Sequence, residues 1–173
     1  MGEVYRATPN WDATSGKGYR ISTPASDKHR YSTPNAWVTL IVMRDKELDT
    51  LRVYVVDDSA LLRQRLVGIL TELDHVEVIG EADDRDHAIT EVTKLKPQVV
   101  ILDIQLRQGN GIEVLTQIKK VQPSPTVIML TNYPYPQFRE KCMSAGADYF
   151  FYKATEFTKV KEVVRLLASQ LHP

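Results

Sequence analysis

From Leu51 onward, short apolar runs alternate with amphipathic stretches. The runs cover 51–56, 76–80, 98–102, 126–130 and 148–152. Between them lie stretches with helical periodicity at 59–73, 85–95, 111–121 and 135–145, and a last one follows at 156–170. In the first helical stretch Leu62, Leu66, Ile69, Leu70 and Leu73 share one face; in the last, Phe157, Val160, Val164, Leu167 and Leu171 do. These spacings follow the 3.6-residue period. Ser59 is placed to cap the first helix and Gly146 to end the fourth. Strands alternating with helices imply right-handed crossovers and a parallel sheet. The first, third and fourth runs are apolar from their second or third residue to their end, as strands buried on both faces are. The second carries Glu77 and the fifth is aromatic, which places both at edges. The expectation is an α/β fold with a doubly wound, five-stranded parallel sheet.

The residues before Leu51 read differently. Ser, Thr, Pro, Asn, Gly and basic residues dominate 1–36, without apolar periodicity. Such a segment buries too little surface to offset its ordering entropy. Residues 1–50 are therefore expected to be a flexible extension and connector, with 37–43 available as an edge strand or docking segment, and residues 51–173 to be the folded domain.

Function in open α/β sheets gathers at the carboxyl ends of the strands. Here the first strand runs into Asp57 and Asp58, the third into Asp103, the fourth into Thr131 and the fifth into Lys153. Three carboxylates at one crevice repel each other unless a cation joins them. Oxygen-only ligands favour a hard ion, and Mg²⁺ shares one or two carboxylates with phosphate oxygens. A lysine and a threonine hydroxyl nearby suit a phosphoryl group, whose transfer depends on positioning and charge neutralisation. A carboxylate is a competent nucleophile and yields an acyl phosphate. Singly, each residue would be a cap, a turn residue or a solvated charge; together they point to metal-assisted phosphorylation of an aspartate.

Residues 51–171 resemble a bacterial two-component response-regulator receiver domain of the CheY-like, flavodoxin-like (βα)5 type. The resemblance lies in Val-Val-Asp57-Asp58-Ser, Val-Val-Ile-Leu-Asp103-Ile-Gln-Leu, Gly111-Ile-Glu-Val-Leu, Val-Ile-Met-Leu-Thr131 and Ala145-Gly-Ala-Asp-Tyr-Phe-Phe-Tyr-Lys153. It implies Asp103 as phosphoacceptor, with Asp58 a direct Mg²⁺ ligand, Asp57 acting through water and the Gln105 backbone carbonyl a further ligand. It implies Thr131 as switch hydroxyl, Lys153 as phosphate-binding lysine and Phe150 as switch aromatic. Gln105 and Tyr133 would flank the path of the hydrolytic water. A sensor histidine kinase or histidine phosphotransfer protein would be the donor. A downstream protein or a second copy of the chain would bind the face of the fourth helix, fifth strand and fifth helix. The expected activity is the domain's own phosphorylation and dephosphorylation, not that of an enzyme. Three positions depart from the family pattern. Arg107 stands where proline is frequent, and Asn132 and Tyr133-Pro134-Tyr135-Pro136 follow the switch threonine, where small residues are common. Ala154 follows Lys153 where proline in cis linkage is frequent; a non-proline cis bond costs about 3 kcal/mol, so the resemblance carries no cis bond to this position.

Composition adds limits. The 173 residues are 43% hydrophobic and 25% charged, with zero formal net charge, so the basic excess of a nucleic-acid binder is absent. Cys142 is the single cysteine, which fits a reducing compartment, and no run approaches the roughly 20 apolar residues of a membrane span. A cytoplasmic protein without direct nucleic-acid or membrane contact is expected. The last helix runs nearly to Pro173, so output by protein contact is expected, the chain standing alone. Two alternatives remain in view: an aspartyl-phosphate phosphatase of the haloacid-dehalogenase type, which would place its nucleophile in Asp-x-Asp at the first strand, and a degenerate receiver signalling without phosphate. Gly109-Asn110-Gly111 is not a dinucleotide fingerprint, since Val114 stands where glycine is required; Gly111 is expected to serve a tight helix entry. His75 and His87 are expected at the surface, Cys142 as a small buried residue, and Lys119-Lys120 as a solvated helix end.

Overall fold

The computed structural model describes residues 50–133 and 135–171. The expectations for 1–49 lie outside the described residues. Five strands, β1 (Leu51–Val56), β2 (Val76–Ala82), β3 (Val99–Leu102), β4 (Thr126–Thr131) and β5 (Tyr149–Tyr152), alternate with five helices. The helices are α1 (Ala60–Thr71), α2 (Arg85–Leu95), α3 (Gly111–Ile118), α4 (Pro136–Ser144) and α5 (Lys153–Ser169). The sheet is parallel, in the order β2-β1-β3-β4-β5. The two strands expected at edges are at edges, and the three most apolar runs lie between them.

Alternation along the central strands divides the core in two. Tyr54, Val56, Val100, Leu102, Val127 and Met129 pack with α2, α3 and α4 on one face. Val53, Val55, Val99, Ile101, Ile128 and Leu130 pack with α1 and α5 on the other. The predicted apolar faces supply the contacts: Leu66 and Leu70 from α1, Leu73 just beyond its C-cap Glu72, and Phe157, Val160 and Val164 from α5, are buried. Leu171 is not part of that face; it lies beyond the α5 C-cap, Gln170, and is 37% exposed. The Ser59 hydroxyl accepts from the Leu62 N–H at the start of α1. Gly146 follows α4 at φ +100°, a conformation favouring glycine.

Several boundaries differ from the sequence reading. β2 continues to Ala82, because Glu81 and Ala82 pair with Val55 and Val56 after a register shift between Val53 and Tyr54. Gly80 makes room for the Tyr54 ring there: a Cβ at Gly80 would lie 2.6 Å from it. α5 begins at Lys153, three residues earlier than its apolar periodicity indicates, with the Glu156 carboxylate accepting from the Tyr152 N–H. Lys119 is not a solvated helix end. Its ammonium reaches the Asp148 carboxylate at 2.8 Å and the Pro125 carbonyl at 2.9 Å, tying the end of α3 to the entries of β4 and β5. His75 and His87 are exposed and Cys142 is buried, as expected; burial pushes the Cys142 thiol up to about 11.

Candidate functional site

The register brings the strand-end residues level. Val56 pairs with Leu102, and the Asp103 N–H donates to the Val56 carbonyl at 2.9 Å, so Asp57 and Asp103 leave adjacent strands side by side. Thr131 pairs with Tyr152, the residue before Lys153. Asp57, Asp103 and Thr131 are buried, at 2%, 4% and 0% exposure, and they are the buried polar residues of the described core. Asp58 is exposed.

The Lys153 ammonium spans the two buried acids, 2.6 Å from Asp57 Oδ2 and 2.5 Å from Asp103 Oδ2. Each carboxylate also accepts a main-chain N–H at its other oxygen: Ser59 to Asp57 at 2.9 Å and Ile104 to Asp103 at 2.6 Å. Burial drives the Asp57 carboxyl above its ordinary value, and although Lys153 and the Ser59 N–H oppose this, burial prevails with the help of the Asp103 charge. Burial works against the Lys153 ammonium, but Asp103 and Asp57 outweigh it and hold the lysine above its ordinary value. For the lysine, two carboxylates share one ammonium and together exceed the cost of its burial; for Asp57, its burial exceeds what the shared ammonium returns.

Asp57, Asp58 and Asp103 each offer an oxygen within 4.8 Å of the others. Three carboxylates against Lys153 leave a charge of minus two, which a divalent cation would neutralise. An all-oxygen donor set with one solvent-facing carboxylate fits a hard ion that keeps part of its water.

The loops around this crevice are fastened. The Tyr133 hydroxyl donates to Gln105 Oε1 at 2.7 Å, linking the β4–α4 and β3–α3 loops, and the Tyr133 ring lies 5.2 Å from that of Phe138. The Tyr133 N–H donates to the Thr131 hydroxyl at 3.4 Å. Arg107, at the departure from proline, reaches Asp83 at 3.1 Å and Asp84 at 3.4 Å. Phe150 is buried, with the Arg139 guanidinium 5.5 Å above its ring and donating to the Phe150 carbonyl. The Lys153–Ala154 bond is not among the cis peptides, which among the described residues comprise Gln122–Pro123 alone.

Gly111 has a stricter role than the sequence suggested. A Cβ there would lie 1.8 Å from the Asp103 carbonyl oxygen. The α3 entry therefore presses directly on the main chain of the candidate acceptor. Gly111→Ala is expected to cost about 3 kcal/mol by overpacking, read as a lower denaturant midpoint; an unchanged midpoint would show that the loop yields freely.

Sequence reasoning missed Arg63. Its guanidinium donates to the Asp57 carbonyl at 2.6 Å and to Glu81 at 3.0 Å. The signal was faint: a charged residue beside Leu62 at the start of α1, one turn from the acids.

Comparison with known proteins supplies the remaining context. A family model described as the response regulator receiver domain matches residues 53–165. The chain is similar to the response regulator protein VraR of Staphylococcus aureus, 31% identical over 116 residues, covering 67% of this chain and 56% of that protein. The chain thus spans little more than half the length of the curated relatives it matches. The response regulator domain of Thermotoga maritima CheB superposes with a TM-score of 0.62 at 31% identity, covering 70% of this chain and 96% of that one. A chain of the CheX–CheY–BeF3–Mg²⁺ complex from Borrelia burgdorferi superposes with a TM-score of 0.58 at 26% identity, covering 65% and 88%.

Proposed function

The chain belongs to the response regulator receiver domain family of two-component signalling, and from that membership and the site geometry we propose that it accepts one phosphoryl group on Asp103 and transmits the event as a change of protein contacts. The observation that carries this reading is the Lys153 ammonium held between Asp57 and Asp103, with Asp58 completing a cluster of net charge minus two. One Asp103 oxygen attacks the phosphorus of a donor phosphohistidine or acetyl phosphate. The new O–P bond forms as the donor's N–P or O–P bond breaks, and the leaving group takes a proton from solvent or departs as an anion.

Asp58, Asp103 and the Gln105 carbonyl would hold Mg²⁺, with Asp57 acting through water. The ion would neutralise the acids and the incoming phosphate oxygens. Lys153 would transfer its contact from the Asp103 oxygen to the phosphoryl group without losing its charge partner Asp57. Thr131, on the neighbouring strand, would offer its hydroxyl to the same group, and Phe150 with Arg139 would carry the change to the face of α4, β5 and α5. Gln105 and Tyr133 would govern the approach of water. A sensor histidine kinase or phosphotransfer protein is the donor in this reading. A downstream protein or second copy is the recipient, and the setting is cytoplasmic. Among the described residues no helix is long and apolar enough to cross a membrane. Neither the phosphatase alternative nor the degenerate receiver has an observation in its favour: the first strand ends in adjacent acids, and the full set of five strand-end residues is present.

Incubation with acetyl phosphate and Mg²⁺, followed by intact mass, tests the reading. One phosphoryl adduct is expected with metal and none with chelator; no adduct on folded protein overturns it. Asp58→Ala is expected to abolish Mg²⁺ binding while leaving the fold intact. Without metal, relief of repulsion should hold or raise stability by up to about 1 kcal/mol. Unchanged metal affinity in this variant would remove Asp58 from the ligand set.

A further inference from the structure

We propose that Arg63 is a positioning residue for the metal site: anchored on Glu81, its guanidinium holds the Asp57 carbonyl and so fixes the peptide plane that carries Asp58. The proposal rests on the metal-dependent reading above. Its starting point is an asymmetry among the three acids. Asp57 and Asp103 each accept a main-chain N–H and contact Lys153. Asp58 is exposed and makes no side-chain hydrogen bond or ion pair among those of the described residues. Its placement therefore depends on its backbone.

That backbone is held on both sides of Asp58: the following peptide plane by the Ser59 N–H on Asp57 Oδ1, and the preceding one by Arg63. A peptide unit is planar, so the Asp57 carbonyl oxygen and the Asp58 Cα belong to one rigid group. Arg63 Nη1 donates to that oxygen at 2.6 Å, within the range of a strong charge-assisted bond. A free arginine would lose much rotamer freedom in holding this pose. Here the opposite edge of the guanidinium is already fixed by Glu81 at the end of β2, and the arginine side chain is only 17% exposed. The fork thus connects two strand ends, β2 through Glu81 and β1 through Asp57. A partly exposed ion pair of this kind contributes little to global stability, so its effect should appear in metal binding.

A rival role would be purely electrostatic, and it predicts opposite signs. A positive charge beside the acid cluster repels a cation. If Arg63 acted through its field alone, Arg63→Gln would tighten Mg²⁺ binding and Arg63→Lys would leave it unchanged. If it acts by position, both variants weaken binding, because lysine keeps the charge and loses the two-edged fork. Glu81→Gln should weaken binding as well, and the Arg63→Gln/Glu81→Gln double variant should be no worse than Arg63→Gln, since both act through one link.

The test is an Mg²⁺ titration of the full chain followed by amide chemical shifts at fixed ionic strength, with thermal unfolding of each variant alongside. Arg63→Gln and Arg63→Lys are each expected to bind about tenfold more weakly, with unfolding midpoints near wild type. If wild type titrates and Arg63→Lys matches it, or Arg63→Gln binds more tightly, the positioning role is overturned. If wild type shows no Mg²⁺-dependent shifts, the metal-dependent reading itself fails, and this inference with it. Should Arg63→Gln unfold, the Lys variant and Glu81→Gln still decide the matter.

Discussion

Asp103→Asn should abolish the phosphoryl adduct completely, whereas Asp57→Asn should slow its formation without abolishing it. The two acids are close to equivalent in their contacts: both are buried, both touch Lys153, and both accept one main-chain N–H. Their places in the sheet separate them. Neighbouring strands lie about 4.8 Å apart. Asp103 leaves β3, one strand from Thr131 on β4, and Asp57 leaves β1, two strands away. A phosphoryl group on Asp103 would therefore sit one strand from the Thr131 hydroxyl and beside Lys153, whereas one on Asp57 would sit a strand further from Thr131. Asparagine at 103 retains an oxygen for the Ile104 N–H, and Lys153 keeps Asp57 as its partner, so the variant should fold. Intact mass after treatment with acetyl phosphate and Mg²⁺ gives the answer; an adduct on folded Asp103→Asn equal to that on wild type would move the acceptor elsewhere.

Tyr133→Ala should shorten the lifetime of the phosphorylated state by about tenfold. Of the two residues expected to flank the water path, the sequence favours obstruction by the Tyr133 ring over orientation of a water by the Gln105 amide. The structure joins them in one latch, because the Tyr133 hydroxyl occupies Gln105 Oε1. The carbonyl that would otherwise orient a water is engaged, and the ring proposed to block the approach is held by it and braced by Phe138. A net hydrogen bond is worth roughly 1 kcal/mol, and a tenfold rate change corresponds to about 1.4 kcal/mol. Tyr133→Phe, which removes the bond and keeps the ring, should thus accelerate loss of phosphate by less than Tyr133→Ala. Gln105→Ala should accelerate it too, since the ring is released. Dephosphorylation of the four proteins followed side by side settles the order; a slower Gln105→Ala would show that the amide assists water, and an unchanged Tyr133→Ala would show that no gate exists.

Most of the sheet and the candidate site at its rim were legible because the relevant signals are local. Each central strand ends in at least four consecutive buried residues that run into a polar one, so Asp57, Asp103 and Thr131 mark their own strand ends. What escaped depends on contacts distant in sequence. Glu81 reads as the end of an apolar run, yet pairing with Val55 carries β2 through it. Lys119 reads as solvated until Asp148 and Pro125 are folded against it. The periodicity of α5 begins with Phe157, but its first turn is set by Lys153 reaching back to two acids on other strands. The Tyr133–Gln105 latch joins residues 28 apart, each with ordinary surface roles when read singly.

The central claim is that the acyl phosphate forms on Asp103. An acyl phosphate is reduced by borohydride to the corresponding alcohol, which converts a phosphorylated aspartate to homoserine and leaves an unmodified carboxylate untouched. Phosphorylating the chain with acetyl phosphate and Mg²⁺, reducing it, and sequencing its peptides by tandem mass spectrometry locates the group directly. The account predicts homoserine at position 103 and at no other aspartate; homoserine at 57 or 58, or none from a chain that carries the phosphoryl mass, would contradict it.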